Sequence, residues 1–343
     1  MSYTNINKST DYFNTLLYTG SGSAQTVTGV GFNSDFTWIK SRNNSHAHTL
    51  FAKPINSGLS HLYSNTTDAA GTGKITSYNS DGYALPNNNE TNNSGNNYVS
   101  WNWLANGVGS SNTDGGINTT YTSVNTTSGV SISSYTGTGA TATVGHGLGV
   151  VPKVVLIKGV SNSGSWGMYH SSIGATKKIV LNTTSAEASS GWMNNTAPTS
   201  SVFTVINDTD VGTSGYTYVA YCFAEKQGFS KFGSYIGNGN ANGTFVYTGF
   251  KPAFVMSKYA SGGGTGSWHM YDNKRKGYNT ENDYVQANTT STENSDTDQV
   301  DLLSNGFKWR SNGSETNTSG GTFIYMAFGQ PIVGTNNIPA NAR

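Results

Sequence analysis

Glycoside cleavage needs two carboxylates about 5 to 9.5 Å apart across one bond, and six glutamates in the whole chain leave few ways to supply them. Glu187 and Glu293 each follow an Asn-Thr-Thr triplet, and Asp68 stands near the corresponding place after the first triplet. An acid recurring after each triplet fits a turn cap better than a proton donor. His46 and His48 lie two apart, on one face if that stretch is extended, and His61 follows. No carboxylate cluster accompanies them, so solvent-exposed loop histidines are expected rather than a metal site. His146 sits in the glycine turn VGHGLG and is expected to hydrogen-bond that turn. His170 and His269 flank the repeated strands Trp166–Tyr169 and Trp268–Tyr271 as packing or recognition residues. Serine is so frequent that a Ser/His/Asp coincidence carries no weight.

Cys222 is the single cysteine, which excludes an intrachain disulfide and a Cys-built metal site. It falls beside Ala220 and Ala224 in an apolar strand, the setting of a packed thiol rather than a nucleophile. The glycine run at 261–267 lacks the spacing of a phosphate cradle, and the calcium-loop signature is absent. The sequence therefore predicts no catalytic residue, no cofactor and no metal ligand, and it fixes no ligand-binding residue. Trp192 in GWMNNT and Trp309 in FKWRS occupy turn-rich contexts and are the candidates for stacking on sugar rings, with a structural role the favoured reading of each.

The elements that would hold these residues are read from repetition. Tyr18, Tyr135 and Tyr235 open the related segments YTGSG, YTGTG and YIGNG. Each runs through a glycine turn into an apolar strand ending at Lys40, Lys158 or Lys258, with Tyr-to-Lys spacings of 22, 23 and 23. Triplets at Asn65, Asn182 and Asn288 follow, then NSDGY and its counterparts, then the closing strands YVSWNW, YVAYCF and FIYMAF. Six landmarks in fixed order predict an internal triplication. Period-two runs of 4 to 8 residues, rich in Val, Ile, Tyr, Phe and Thr and bounded by Asn-Gly and Asp-Gly turns, predict strands.

The expectation is an all-β chain of three tandem β-sandwich domains, of jelly-roll or lectin-like type. Their bounds are 1–106, 128–226 and 227–330, with a polar linker at 107–127 and an extended tail at 331–343. In the closing strands the set Val99, Trp101, Trp103, Val219, Tyr221, Phe223, Ile324, Met326, Phe328 is assigned to the core, and the set with Ser100, Asn102 and Ala220 to the other face. The triplets are expected to be turns in which Asn caps its own backbone.

Composition narrows the function. The 343 residues carry 11% charged side chains, against about 25% in an ordinary domain, and a net charge of +1. That balance excludes a nucleic-acid-coating surface, which needs clustered Lys and Arg. With 12% aromatics the chain is not disordered. Neither a signal peptide nor an apolar run long enough to span a bilayer is visible, so synthesis in a cytoplasm without export is expected, and membrane insertion is not.

YTGTG, GHGLGVVPK, NTTSAE, YVAYCFAEKQGFSKFGSYIGNG and FVYTGFKPAFV together resemble a repeat family of virion and tail structural proteins of tailed bacteriophages, with lectin-like sandwich domains. The ending NNIPANAR is similar to that family's terminus. The resemblance implies a non-enzymatic virion surface protein, made in the host cytoplasm and carried on the particle. A tail-fibre or appendage subunit contacting host glycans comes first; a capsid decoration protein is the alternative, and a polysaccharide depolymerase is less favoured. It implies partnership with other virion proteins and with copies of itself, a trimer among the possibilities. The matching residues are turn and core residues, so they transfer no binding position.

Overall fold

The computed structural model describes residues 3–275, 283–295 and 299–333. Within them the chain is all-β, interrupted only by the single 3-10 turns Ser9–Asp11 and Asn56–Gly58. The first segment holds β1 (Phe13–Thr19), β2 (Gln25–Thr28), β3 (Phe36–Ser41), β4 (Thr49–Ala52), β5 (Ser60–Tyr63), β6 (Gly71–Thr72), β7 (Ser77–Asn79), β8 (Gly82–Leu85) and β9 (Asn97–Trp103). The second holds β10 (Tyr121–Asn125), β11 (Val130–Thr136), β12 (Ala142–Gly145), β13 (Val154–Gly159), β14 (Gly167–His170), β15 (Lys177–Val180), β16 (Ala188–Ser189), β17 (Val202–Val205) and β18 (Thr217–Phe223). The third holds β19 (Ser230–Ile236), β20 (Phe245–Tyr247), β21 (Phe250–Ser261), β22 (His269–Asp272), β23 (Tyr284–Gln286), β24 (Val300–Leu303), β25 (Gly306–Trp309) and β26 (Thr322–Pro331).

These strands form three large sheets, ordered β1-β9-β3-β4-β5-β6, β10-β11-β18-β13-β14-β15-β16 and β19-β26-β21-β22-β23, and three small ones, β2-β8-β7, β12-β17 and β20-β25-β24. In each large sheet the closing strand lies between the opening strand and the lysine-ending strand. One face packs on the small sheet of its own segment: Ile39 and Tyr98 meet Val27 and Tyr83, Ile157 and Tyr218 meet Val144 and Phe203, and Val255 and Phe323 meet Val246 and Phe307. The opposite faces of all three large sheets meet in one shared cluster. Trp101, Trp103, Tyr221, Phe223, Met326 and Phe328 all lie there, so the segments do not keep three separate main cores. Ser100, Asn102 and Ala220, placed by the sequence on a non-core face, are fully buried as well. Asn102 Nδ2 donates to Ser100 Oγ at 3.1 Å, which lets two polar side chains lie inside.

The 107–127 stretch is docked rather than stretched. Its β10 pairs with β11, Ile117 enters the second segment's core, and the hydroxyls of Thr119, Thr122 and Ser133 form a chain with spacings of 2.9 and 3.0 Å. Hydroxyls bonded to one another need no water, which is why Thr119 and Thr122 can be buried within so polar a segment. Of the tail, Pro331 ends β26 and residues 334–343 lie outside the described residues.

The segments join through the landmarks that recur. Asn65, Asn182 and Asn288 do not cap their own turns. Their Oδ1 atoms accept from the backbone N–H of His48, Trp166 and Trp268 at 3.2, 2.9 and 2.8 Å, 16 to 20 residues upstream. Five residues after each Asn, a backbone N–H crosses to the next segment: Ala70 to Val160 O at 2.8 Å, Glu187 to Ala260 O at 2.9 Å, and Glu293 to Arg42 O at 2.7 Å. The third of these runs from the last segment back to the first, so the seams form a closed cycle. The indoles follow the same rule, with Trp166 Nε1 donating to Tyr63 O at 2.8 Å and Trp268 Nε1 to Val180 O at 3.0 Å.

Candidate binding groove

The acids singled out in the sequence are taken up by these seams and converge on no common point. Glu293 is gripped by Arg42, with three contacts of 2.7 to 3.0 Å, and by Arg275 Nη1 at 3.1 Å. Burial opposes its charge, yet the two guanidiniums outweigh burial and hold its pKa below the usual carboxylate range. Glu187 lies 4.0 Å from Lys177, and Asp68 offers its backbone carbonyl to Lys158. Glu293 and the Asp68 carbonyl pin one segment to another, whereas the Glu187 carboxylate stays in its own segment and only its backbone N–H crosses the seam; none of the three acts as a turn cap.

Two of the three histidines read as loop residues are buried. His48 and His61 are 0% and 5% exposed. His48 holds the seam position that Trp166 and Trp268 hold in the other segments. The Trp38 indole donates to its Nδ1 at 2.9 Å, which leaves the ring proton on Nε2, and burial drives its pKa well below the ordinary value. His146 accepts from Leu148 N at 3.2 Å, the turn role expected, and His170 faces the Tyr325 carbonyl. Among the described residues no three His, Cys, Asp or Glu side chains gather as a metal site would require. Trp192 and Trp309 are also buried, 1% and 0% exposed, in the cores of the second and third segments, and cannot stack on a ligand. Cys222 is buried and burial raises its pKa far above the ordinary thiol value.

A recurring acid passed over in the sequence is Glu90, Asp210 and Glu315, each five residues before the glycine (Gly95, Gly215, Gly320) of the turn that precedes the closing strand. Each meets a nitrogen-bearing side chain of its own segment: Lys74 at 2.8 Å, Lys178 at 2.8 Å and His269 at 2.9 Å. Two of them also accept from a backbone N–H, Ser165 to Asp210 at 2.6 Å and Ser267 to Glu315 at 3.1 Å. A pair present in every segment, with lysine where the third has histidine, anchors loops.

Where the third segment departs from the other two, a surface feature appears. The inward valine of the short strand is common to all: Val27, Val144 and Val246 are buried. Its outward neighbours are Thr26 and Thr28 in the first segment and Thr143 and Gly145 in the second, but Phe245 and Tyr247 in the third. Those rings are 45% and 55% exposed. Strand alternation forces this, because burying Val246 turns both neighbours outward. Tyr247 meets Tyr3, whose pKa is raised by burial and by Tyr247, and Tyr3 donates its hydroxyl to Gly249 O. Gly228 and Gly249 have positive φ, and a Cβ on either would lie 3.1 or 2.9 Å from Tyr3, so both sites favour glycine.

Tyr247 and Tyr3 border an open groove of about 590 Å³, walled also by Lys153, Glu225, Gln227 and Lys231. A second groove of about 530 Å³ shares Tyr3 and Gln227 and adds Lys226, Asn5 and Thr126. The groove holds phenols, an amide, ammoniums and one carboxylate, Glu225, paired with Lys231 at 3.4 Å. This set can stack on a ring and hydrogen-bond hydroxyls, and it lacks a second acid for cleavage. The sequence signal was available: aligning the three segments at the buried valine exposes the two aromatic replacements.

Fold and groove together define an all-β scaffold of three cyclically joined segments carrying one aromatic surface groove. Residues 8–331 match the model of a family described as a domain of unknown function, DUF7483, and the chain belongs to that family. No curated protein and no solved structure matches it. No helix among the described residues is long and apolar enough to cross a membrane.

Proposed function

We propose that this chain is a non-enzymatic surface protein of a tailed-bacteriophage virion, a tail-fibre or appendage subunit that contacts host glycans through the Tyr3–Tyr247 groove. On this reading the three segments are copies of one two-sheet sandwich. One observation carries it: the recurring polar residues are consumed in joining segments and anchoring loops, while the third segment alone replaces small outward residues with Phe245 and Tyr247. Closing three segments around one core supports a rigid carrier. Many carriers on one particle turn weak contacts into avidity that exceeds single-site affinity by about 10² to 10⁴.

The test is binding of the purified chain to host cells before and after periodate oxidation of their surface glycans, together with antibody labelling of intact particles. Binding lost on oxidation, and label on the tail, are expected. Label confined to the shell would favour decoration instead, and binding indifferent to oxidation would remove the glycan reading.

A further inference from the structure

We infer that the groove takes an acidic saccharide, a chain of pyranose units bearing carboxylates; this rests on the glycan-contact reading and narrows it. Charge is scarce in this molecule, at 11% of residues, yet Lys153, Lys226 and Lys231 line the two grooves that meet at Tyr3 and Gln227. Against them stands one lining carboxylate, Glu225, and it is engaged by Lys231 at 3.4 Å. Lys153 and Lys226 pair with no carboxylate among the described residues.

Lys226 is the more constrained of the two. It is half-buried, its stem lies where a Cβ on Gly129 would come within 3.0 Å, and burial lowers its pKa. An ammonium held against desolvation without a counter-ion gains when an anion arrives, and a sugar carboxylate supplies one. Tyr247 supplies what a simple inorganic anion would not use, an exposed ring face for the apolar side of a pyranose. Gln227, common to both grooves, offers donors and an acceptor for ring hydroxyls. A neutral saccharide would leave both lysines without partners. A nucleic acid would need many more cations than the two unpaired here.

Calorimetric titration of the full chain with an oligogalacturonate, and with the same oligomer after its carboxyls are reduced to alcohols, tests this. Reduction is expected to weaken binding at least about 10-fold, the scale of one lost charge-assisted hydrogen bond. The double variant Lys153→Gln, Lys226→Gln is expected to erase that difference, whereas Tyr247→Ala weakens both oligomers alike. Tyr247 is exposed and both lysines lie on the surface, so these variants keep the fold, checked by an unchanged melting temperature. Equal affinity for the two oligomers overturns the inference and leaves the glycan reading standing. Binding of neither oligomer overturns the inference, and if host cells are not bound either, the glycan reading falls with it.

Discussion

Lys40, Lys158 and Lys258 end equivalent strands, are 0% exposed, and have ammoniums satisfied by backbone carbonyls rather than carboxylates. Lys158 Nζ donates to Thr67 O and Asp68 O at 3.0 and 2.8 Å, Lys40 to Ser41 O and Asn44 O at 2.6 and 3.2 Å, and Lys258 to Thr183 O and Gly266 O. Burial lowers Lys258 to about 7 and the other two to about 8. An unfolded lysine holds its proton to about pH 10.4. Between those limits the unfolded chain binds more protons, so stability rises with pH. The destabilisation is fully present below about pH 7 and is relieved as each buried lysine becomes neutral. Melting temperatures from pH 7 to 9.5 should therefore climb less steeply for Lys258→Met than for the parent; equal slopes would contradict the assignment.

Trp101 offers a second test at this scale. Its indole donates to Asp272 Oδ2 at 3.1 Å across the seam from the third segment to the first, and the Arg275 guanidinium sits 5.5 Å from its ring. Trp101→Phe should cost about 1 to 2 kcal/mol for the lost bond, and Trp101→Ala about 3 to 5 kcal/mol. A Trp101→Phe variant as stable as the parent in chemical denaturation would show that the seam bond contributes nothing. The tyrosines, lysines and triplets were legible as a pattern because they recur. Their partners were not, since a hydrogen bond from the Trp166 backbone N–H to Asn182 Oδ1 leaves no mark on local periodicity. Trp192 and Trp309 stood as stacking candidates only through their turn-rich flanks, and each ring folds back into its own segment's core, the structural role favoured for both.

Strands were the most legible elements, since alternation with β-branched and aromatic residues needs no tertiary knowledge. Faces were harder to read. β9, β18 and β26 lie between the core of their own segment and the shared core, and a strand buried on both sides has no exposed face to mark which way it points. Cys222 in β18 is the probe of this. With its side chain in the second segment's core, it should resist an aromatic disulfide reagent in the native protein and react stoichiometrically in denaturant. Rapid native labelling, followed by absorbance of the released thiol, would place that face of β18 against solvent. β20 shows the same limit in reverse: FVY was readable as a strand, but the exposure of Phe245 and Tyr247 follows only once Val246 is known to point inward.

At the scale of the molecule, the first and last segments are not neighbours along the chain, yet Arg42, Glu293, Arg275, Asp272 and Trp101 join them. Arg42 and Glu293 are 251 residues apart, so nothing in composition or repeat spacing announces the closure. The N-terminal stretch adds to it, Ser9 N and Oγ both donating to Gln330 Oε1 at 3.1 and 2.9 Å. Tandem sandwiches with private cores would melt piecewise, whereas segments sharing a cluster of aromatic and aliphatic side chains lose it together. Differential scanning calorimetry of the intact chain measures this directly. One transition whose calorimetric enthalpy equals its van't Hoff enthalpy is predicted, and resolved transitions that each survive deletion of the other segments would contradict a shared core.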